Sequence, residues 1–206
     1  MTIHHPHDAF AVRGRLLAGT YLDRGTVVVE NGRIASVHRT ELSNGDLPPT
    51  VIDADIISPG MIDLQVNGAI GREVSPNPGD IEAISRWMPI SGVTAWLPTV
   101  VTADASFYPQ VFASWDAIDR TVGAIPLGYH LEGPFLSPER KGAHQLQYIE
   151  AASDALFDSW LDEPSIALVT VAPEREGGLD RIRALVEQGI LTSVGHTNAT
   201  YEQLRA

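Results

Sequence analysis

The sequence has no cysteine among its 206 residues, which excludes disulfide bonds and thiolate metal sites. It is also poor in basic residues, with 14 Lys and Arg against 26 Asp and Glu and a formal net charge of -12. This balance argues against nucleic acid and anionic membrane as partners, although a local basic pocket could still hold a small anion. No apolar run is long enough to span a bilayer, and residues 1–10 lack the apolar core of a signal peptide. We therefore expect a cytoplasmic protein.

Sequence signatures of nucleotide binding are absent as well. No Gly-x-Gly-x-x-Gly follows a predicted strand and no Gly-Lys-Ser/Thr phosphate loop occurs, so dinucleotide binding has little support. His4, His5 and His7 could form a metal-binding tail, but a disordered terminus is the preferred interpretation. What is present is ordinary for a globular protein: 44% hydrophobic and 19% charged residues, in a chain long enough for a sizeable core.

Residues 1–57 are predicted to form a small all-β unit. Short runs rich in strand-forming residues lie at 9–16, 25–30, 33–38 and 51–55. The Asn31-Gly32 pair between the second and third runs is the strongest two-residue hairpin signal. These two runs are therefore predicted to pair as an antiparallel hairpin.

From residue 58 to residue 206 predicted strands alternate with predicted helices. The strands lie at 61–68, 93–100, 125–132, 165–174 and 190–195, and the helices at 80–90, 107–122, 152–161, 179–189 and from 201. This order predicts parallel βαβ units, and polar residues gather at the carboxyl ends of the strands, as in a (β/α)8 TIM-like barrel. Five strands cannot close a barrel of eight. We therefore expect an α/β fold with an incomplete barrel, the first part of a longer enzyme.

Two of the predicted strands end in side chains that suit a divalent metal ion. Glu132 ends the third strand and His196 follows the fifth. A carboxylate at the end of an apolar strand is costly to desolvate unless it is compensated, and Glu with His suits zinc or a similar ion. The alternative for Glu132 is a side chain that points to solvent. Glu174 could reach the same pocket, but a solvated strand-end side chain is the preferred interpretation. His130 shares the strand face of Glu132 and is predicted to be a buried core residue, yet it is the first substitute ligand to test.

Six short motifs follow one another along the chain. They are Pro59-Gly60-Met61-Ile62-Asp63-Leu64-Gln65-Val66-Asn67-Gly68, Leu97-Pro98-Thr99, His130-Leu131-Glu132-Gly133-Pro134, Lys141-Gly142-Ala143-His144, Ala172-Pro173-Glu174 and Gly195-His196-Thr197-Asn198-Ala199. Each motif alone is weak. Together they resemble the N-acetylglucosamine-6-phosphate deacetylases of the amidohydrolase superfamily, from about Phe10 to Ala206.

The resemblance implies a fold and an activity. The fold is a metal-bearing (β/α)8 barrel with a small β-sandwich, to which residues 1–57 contribute. The activity is hydrolysis of the acetamido group of N-acetyl-D-glucosamine 6-phosphate, which yields D-glucosamine 6-phosphate and acetate. It implies one divalent metal ion, with Zn2+ as the default and Fe2+, Co2+ or Ni2+ as alternatives. It also implies a homodimer for the full-length protein.

The matched motifs also assign roles to residues. Glu132 and His196 correspond to metal ligands, and His144 corresponds to a substrate contact near the scissile amide, with Ala143 beside it. Many amidohydrolases bind a second metal through His-x-His at the first strand end, where this chain has Gln65 and Asn67. Amides are poor ligands beside imidazole, which favours one metal. Gln65 and Asn67 are then either hydrogen-bonding groups at the pocket or plain strand-end polar residues.

Other parts of the family site have no counterpart here. The resemblance places a third ligand His, a catalytic Asp and phosphate contacts beyond Ala206, so no catalytic residue is assigned in this chain. In the intact enzyme that Asp would take a proton from the attacking water, and His144 would help to stabilise the oxyanion. The fragment alone is predicted to be inactive. The alternatives are an amidohydrolase for a different amide and an inactive truncated half-barrel.

Overall fold

The computed structural model describes residues 9–17 and 23–205, so His4, His5 and His7 lie outside the described residues. The chain divides into two compact units, one that ends at Gly60 and one that begins at Met61. In the described part of the chain, no helix combines the length and the apolar character needed to cross a membrane.

The first unit is a four-stranded mixed sheet. Its strands are β1 (Phe10–Leu16), β2 (Arg24–Glu30), β3 (Arg33–His38) and β4 (Thr50–Ile57), in the order β3-β2-β1-β4. β1 pairs antiparallel with β2 and parallel with β4. Asn31 and Gly32 have φ values of 52° and 71°, as the predicted tight hairpin between β2 and β3 requires. The two-layered sandwich stays a prediction.

The described residues of the second unit contain eight strands and six α-helices. The strands are β5 (Met61–Val66), β6 (Gly68–Ala69), β7 (Arg72–Glu73), β8 (Val93–Val101), β9 (Ile125–Pro126), β10 (Tyr129–Glu132), β11 (Ile166–Val171) and β12 (Leu191–Val194). The helices are α1 (Pro78–Trp87), α2 (Phe107–Ser114), α3 (Leu146–Glu150), α4 (Asp154–Asp158), α5 (Gly178–Glu187) and α6 (Tyr201–Leu204).

Six of these strands form a parallel sheet: five follow chain order, β5-β8-β10-β11-β12, and the short β9 pairs with β8. Helices separate consecutive strands, and the sheet is a curled half-barrel. This confirms the predicted incomplete (β/α)8 barrel. Because the strands are parallel and adjacent, their carboxyl ends meet at one edge, where Glu132 and His196 are found.

Large aromatic side chains fix the helices to this sheet. Trp96 of β8 is fully buried, and its indole Nε1 donates to Ser85 Oγ of α1 at 3.0 Å. Trp160 is also fully buried and packs edge-on against Tyr108 and Phe135, with ring centroids 5.1 Å and 5.4 Å away. Trp96 and Trp160 are therefore core residues of the second unit.

The predicted strand at 125–132 is wrong as one continuous element. The structure breaks it into β9 and β10, since Pro126 has no N–H to donate and Gly128 has a φ of 144°. A side chain at Gly128 would place its Cβ 2.7 Å from Cβ of Ala167. The break lets β10 begin at Tyr129 and deliver Glu132 to the carboxyl edge.

Two predicted helices are shorter than expected. α2 ends at Ser114, whose hydroxyl donates back to the Val111 carbonyl at 2.7 Å, and a 3-10 turn follows. A side chain that bonds its own backbone competes with continued helix. The region predicted as helix 152–161 holds only α4, which begins after the cap Ser153.

Candidate metal centre

Glu132 lies at the centre of a cluster of imidazole and amide groups. It ends β10 and is only 8% exposed. Its Oε1 lies 3.1 Å from His196 Nε2 and 3.8 Å from His144 Nε2, and its Oε2 accepts from Asn67 Nδ2 at 3.2 Å. His144 first, then His196 and Asn67, hold the pKa of this carboxyl at about 2, although burial acts in the opposite direction. Glu132 is therefore an ionised carboxylate buried at the barrel edge.

The strand end of Glu132 is fixed by a neighbouring strand. Thr102 Oγ1, just beyond β8, donates to the Glu132 backbone carbonyl at 3.0 Å. The next residue, Gly133, has a φ of 85°, and a Cβ there would lie 2.3 Å from that hydroxyl oxygen. Only glycine allows this close approach without displacing Thr102.

His196 presents one ring nitrogen to Glu132 and has the other engaged. Its Nδ1 lies 2.9 Å from the Arg140 backbone carbonyl. A carbonyl only accepts, so Nδ1 carries a proton, and Nε2 is the ring nitrogen that faces Glu132 Oε1 at 3.1 Å. Fixing the tautomer through a backbone carbonyl is the arrangement that metal-binding histidines use.

His144 completes the cluster from the loop after β10. Its ring is 8% exposed and stands edge-on to the His196 ring, with centroids 4.5 Å apart. Its Nδ1 is buried and has no hydrogen-bond partner among the described residues. Such an orphaned nitrogen is costly unless a ligand or solvent satisfies it.

The three side chains fit a divalent ion. One donor atom from each of Glu132, His144 and His196 lies within 4.8 Å of the others. Two donors on one tetrahedral zinc, at about 2.0–2.1 Å each, lie roughly 3.3 Å apart. The separations of 3.1 Å and 3.8 Å here bracket that value. A carboxylate and two imidazoles, with no thiolate, match the donors that zinc and its neighbours accept.

The predicted substrate contacts gather at the same place. A cavity of about 370 Å³ is lined by Gln65, Asn67, Ala143 and His144, together with both predicted ligands. Asn67 also bonds Glu132, which supports the hydrogen-bonding interpretation of that residue over the plain strand-end one. The structure thus brings together all six predicted site residues, while their roles stay predictions.

His130 is a core residue, as predicted, and a poor substitute ligand. It is 2% exposed, and its Nδ1 lies 2.9 Å from the Leu64 carbonyl while its Nε2 lies 2.7 Å from Thr170 Oγ1. Burial lowers the pKa of this ring, so it is neutral at physiological pH. Both nitrogens are occupied, and the imidazoles within reach of Glu132 are those of His196 and His144.

We predict that His130→Leu destabilises the fold without affecting metal binding. The change keeps the volume but leaves the Leu64 carbonyl and the Thr170 hydroxyl without their partner, at a cost of about 2 kcal/mol. Urea unfolding of the metal-free chain measures this loss. His38→Leu is the matched control, because His38 lies in the other unit and bonds only its neighbour Ser36 in the described contacts. A large loss of metal affinity in His130→Leu, with stability unchanged, would identify His130 as a ligand instead.

Two residues hold the site together in ways that were not predicted from the sequence. Arg140 offers its carbonyl to His196, and its guanidinium donates to Asn198 Oδ1. Glu174, predicted to be solvated, accepts from Asn198 N at 2.6 Å and from the Thr197 hydroxyl. The Glu174 prediction is wrong, since the side chain is partly buried against the loop that carries His196. The Ala-Pro-Glu motif was the one signal that singled out Glu174.

Comparison with known proteins finds relatives of this chain among amino sugar 6-phosphate deacetylases. No family model matches the sequence. An N-acetylglucosamine-6-phosphate deacetylase from Bacillus subtilis (strain 168) is 32% identical over 187 residues, which cover 86% of this chain and 47% of that protein. An N-acetylgalactosamine-6-phosphate deacetylase from Escherichia coli O157:H7 is 32% identical over 194 residues, covering 90% and 49%. The structure of an N-acetyl-D-glucosamine-6-phosphate deacetylase mutant from Mycobacterium smegmatis, in complex with N-acetyl-D-glucosamine-6-phosphate, superposes with a TM-score of 0.81. It shares 29% identity and covers 96% of this chain and 52% of that chain.

The chain is related to the N-acetylglucosamine-6-phosphate deacetylase family over most of its length. It spans about half the length of the deacetylase relatives that it matches. The predicted resemblance is thereby confirmed, and the half-barrel of this chain has the fold of the matching part of the Mycobacterium smegmatis deacetylase.

The buried Glu132 carboxylate predicts how the free energy of unfolding depends on pH. The folded pKa of Glu132 is about 2 against an ordinary value of 4.5, so ionised Glu132 stabilises the fold above pH 4.5. That contribution is lost as the pH falls from 4.5 toward 2, and it amounts to roughly 3 kcal/mol. The contribution of Glu132 is measured as the difference in free energy of unfolding between wild type and Glu132→Gln at each pH, with a chelator present to keep both proteins metal-free. The wild-type advantage shrinks across this window. An advantage that does not change with pH would contradict the depressed pKa.

Proposed function

We propose that the protein containing this chain hydrolyses the acetamido group of N-acetyl-D-glucosamine 6-phosphate to D-glucosamine 6-phosphate and acetate. The observation that supports it most is the cluster of Glu132, His144 and His196 at the barrel edge, in a chain whose curated relatives are amino sugar 6-phosphate deacetylases. Such a reaction belongs to the breakdown of amino sugars. The cofactor proposed with it is one divalent metal ion, Zn2+ first, with Fe2+, Co2+ or Ni2+ as alternatives.

The described residues take distinct roles in this proposal. A divalent ion, when bound, supplies Lewis acidity that activates water and polarises an amide carbonyl. Glu132 and His196 would hold it, and Asn67 would keep the Glu132 carboxylate oriented through its amide bond. His144 would donate to the carbonyl oxygen of the acetamido group as negative charge develops there. The proton transfers are assigned to the Asp that the family resemblance places beyond Ala206.

A second substrate is favoured by one observation. The Escherichia coli relative at 32% identity is named as an N-acetylgalactosamine-6-phosphate deacetylase, which differs in the sugar rather than in the reaction. The substrate class is therefore an N-acetylhexosamine 6-phosphate, and the choice between the two sugars is part of the test.

The test measures acetate release by the product of the complete reading frame, loaded with Zn2+. The substrates are N-acetylglucosamine 6-phosphate, its galactosamine isomer and unphosphorylated N-acetylglucosamine. We expect release from one or both phosphates and little from the free sugar. Equal release from the free sugar would favour an amidohydrolase for other amides, and no release from any of them would favour an inactive half-barrel. The 206-residue chain, assayed in parallel, is expected to be inactive.

The remaining expectations stay predictions. They are a homodimer for the full-length protein, a cytoplasmic location and the lack of nucleic-acid and membrane partners. The charge of -12 supports the last of these.

A further inference from the structure

The segment that carries His196 is held by a carboxylate from the neighbouring strand. Glu174 lies just beyond β11, and its Oε1 accepts from the Asn198 backbone N at 2.6 Å, while its Oε2 accepts from the Thr197 hydroxyl. That hydroxyl oxygen in turn accepts from Ala199 N at 2.8 Å. Glu174 thereby fixes Thr197 and Asn198 directly, and Ala199 through the Thr197 hydroxyl.

His196 needs such support because its backbone is in an unfavourable conformation. Its φ is 49°, in the left-handed region that glycine favours and that most other residues avoid. Its carbonyl accepts from Ser137 N at 2.9 Å, and its ring donates to the Arg140 carbonyl. These two contacts hold His196 itself, whereas Glu174 holds the chain that follows. A strained residue persists only where its surroundings fix it, and such residues concentrate at functional sites.

We propose that Glu174 is a positioning residue for metal binding, which keeps His196 Nε2 directed at Glu132 by fixing residues 197–198. Glu174 touches neither Glu132 nor the predicted substrate cavity in the described contacts, so it acts through His196. The inference rests on the proposed metal site. It goes beyond that proposal by assigning a role to a residue that the sequence interpretation left in solvent.

The test measures the affinity of the 206-residue chain for Co2+, followed by the visible absorption of the bound ion. Glu174→Leu removes both acceptors and is expected to weaken Co2+ binding about 10-fold or more, the range found when residues that orient metal ligands are replaced. Glu174→Gln keeps one acceptor for Asn198 N and is expected to fall between Glu174→Leu and wild type. The absorption band of the bound ion is expected to change shape in Glu174→Leu, because the ligand geometry changes.

A matched control lies at the opposite end of the same strand. Glu163 is also partly buried, and it accepts from Ser165 N at 3.0 Å and from Ser165 Oγ at 2.6 Å just before β11 begins. Glu163→Leu therefore removes two similar hydrogen bonds far from His196. We expect it to lower the melting temperature of the chain as Glu174→Leu does, with Co2+ affinity within about twofold of wild type.

Three outcomes separate the possibilities. Weaker Co2+ binding in Glu174→Leu alone, with partial recovery in Glu174→Gln, supports the proposal. Equal losses in Glu174→Leu and Glu163→Leu, or no loss in Glu174→Leu, show a purely structural role and overturn it while the metal site stands. No binding of Co2+ by wild type overturns both the metal site and the inference.

Discussion

We expect that replacing Glu132 with Gln abolishes tight binding of divalent metal by this chain. The variant keeps the shape of the side chain but removes the negative charge that faces His196 Nε2 at 3.1 Å and His144 Nε2 at 3.8 Å. Amide oxygens are weak ligands for zinc and its neighbours. Because replacing residues that only orient ligands already costs about 10- to 100-fold, loss of a ligand is expected to cost at least about 100-fold. Titration with Co2+, followed by visible absorption, measures the change.

The matched control for this variant is Glu139→Gln. Glu139 is exposed in the loop between Glu132 and His144, and its Oε2 accepts from Ser137 Oγ at 2.7 Å. Glu139→Gln removes one negative charge from the same loop region and leaves Glu132, His144 and His196 unchanged. Equal affinity losses in the two variants would mean that net charge, rather than ligation by Glu132, governs binding.

His144→Gln separates a substrate contact from a metal ligand. The resemblance assigns His144 to the substrate, while the structure places its Nε2 within ligand reach of Glu132 Oε1. If His144 donates to the developing oxyanion, kcat of the complete protein falls by about 100- to 1000-fold while Zn2+ affinity is nearly unchanged. We expect this result, because the flexible neutral amide of Gln holds a donor at the oxyanion less precisely than the packed imidazole does.

The readout for His144→Gln combines acetate release with metal content after dialysis. Retained Zn2+ with low kcat confirms the substrate role. Loss of Zn2+ together with activity would show that His144 is a ligand in this protein. His38→Gln is the control, since His38 lies in β3 of the other unit.

The central part of the site could be predicted from the sequence because parallel strands align their carboxyl ends. Glu132 and His196 end strands that are two apart in the sheet, so their meeting followed from strand order alone. His144 lies on a loop, where periodicity gives no position, and only the Lys-Gly-Ala-His motif singled it out. Strand order thus predicts the positions of Glu132 and His196, and motif resemblance independently predicts that of His144.

The supports of the site could not be predicted in this way. The acceptor for His196 is the backbone carbonyl of Arg140, which has no side-chain signature and lies 56 residues earlier in the chain. Glu174 looked like any polar residue after a strand, and its partners Thr197 and Asn198 lie on a separate loop. Such contacts depend on how loops fold over the barrel edge, which strand and helix patterns do not specify.

The boundaries of individual strands could also be predicted only in part. An apolar run from 125 to 132 reads as one strand, but Pro126 and Gly128 impose a break that hydrophobicity does not report. The hairpin at Asn31-Gly32 was predictable because both residues accept the positive φ that this turn requires.

The most direct test of the account is a crystal structure of this chain grown with Zn2+, with anomalous scattering collected at the zinc absorption edge. The account predicts one strong anomalous peak at about 2.0–2.2 Å from a Glu132 carboxylate oxygen and His196 Nε2. A peak elsewhere, or an empty cluster with Glu132 and His196 in direct contact at saturating Zn2+, would contradict it.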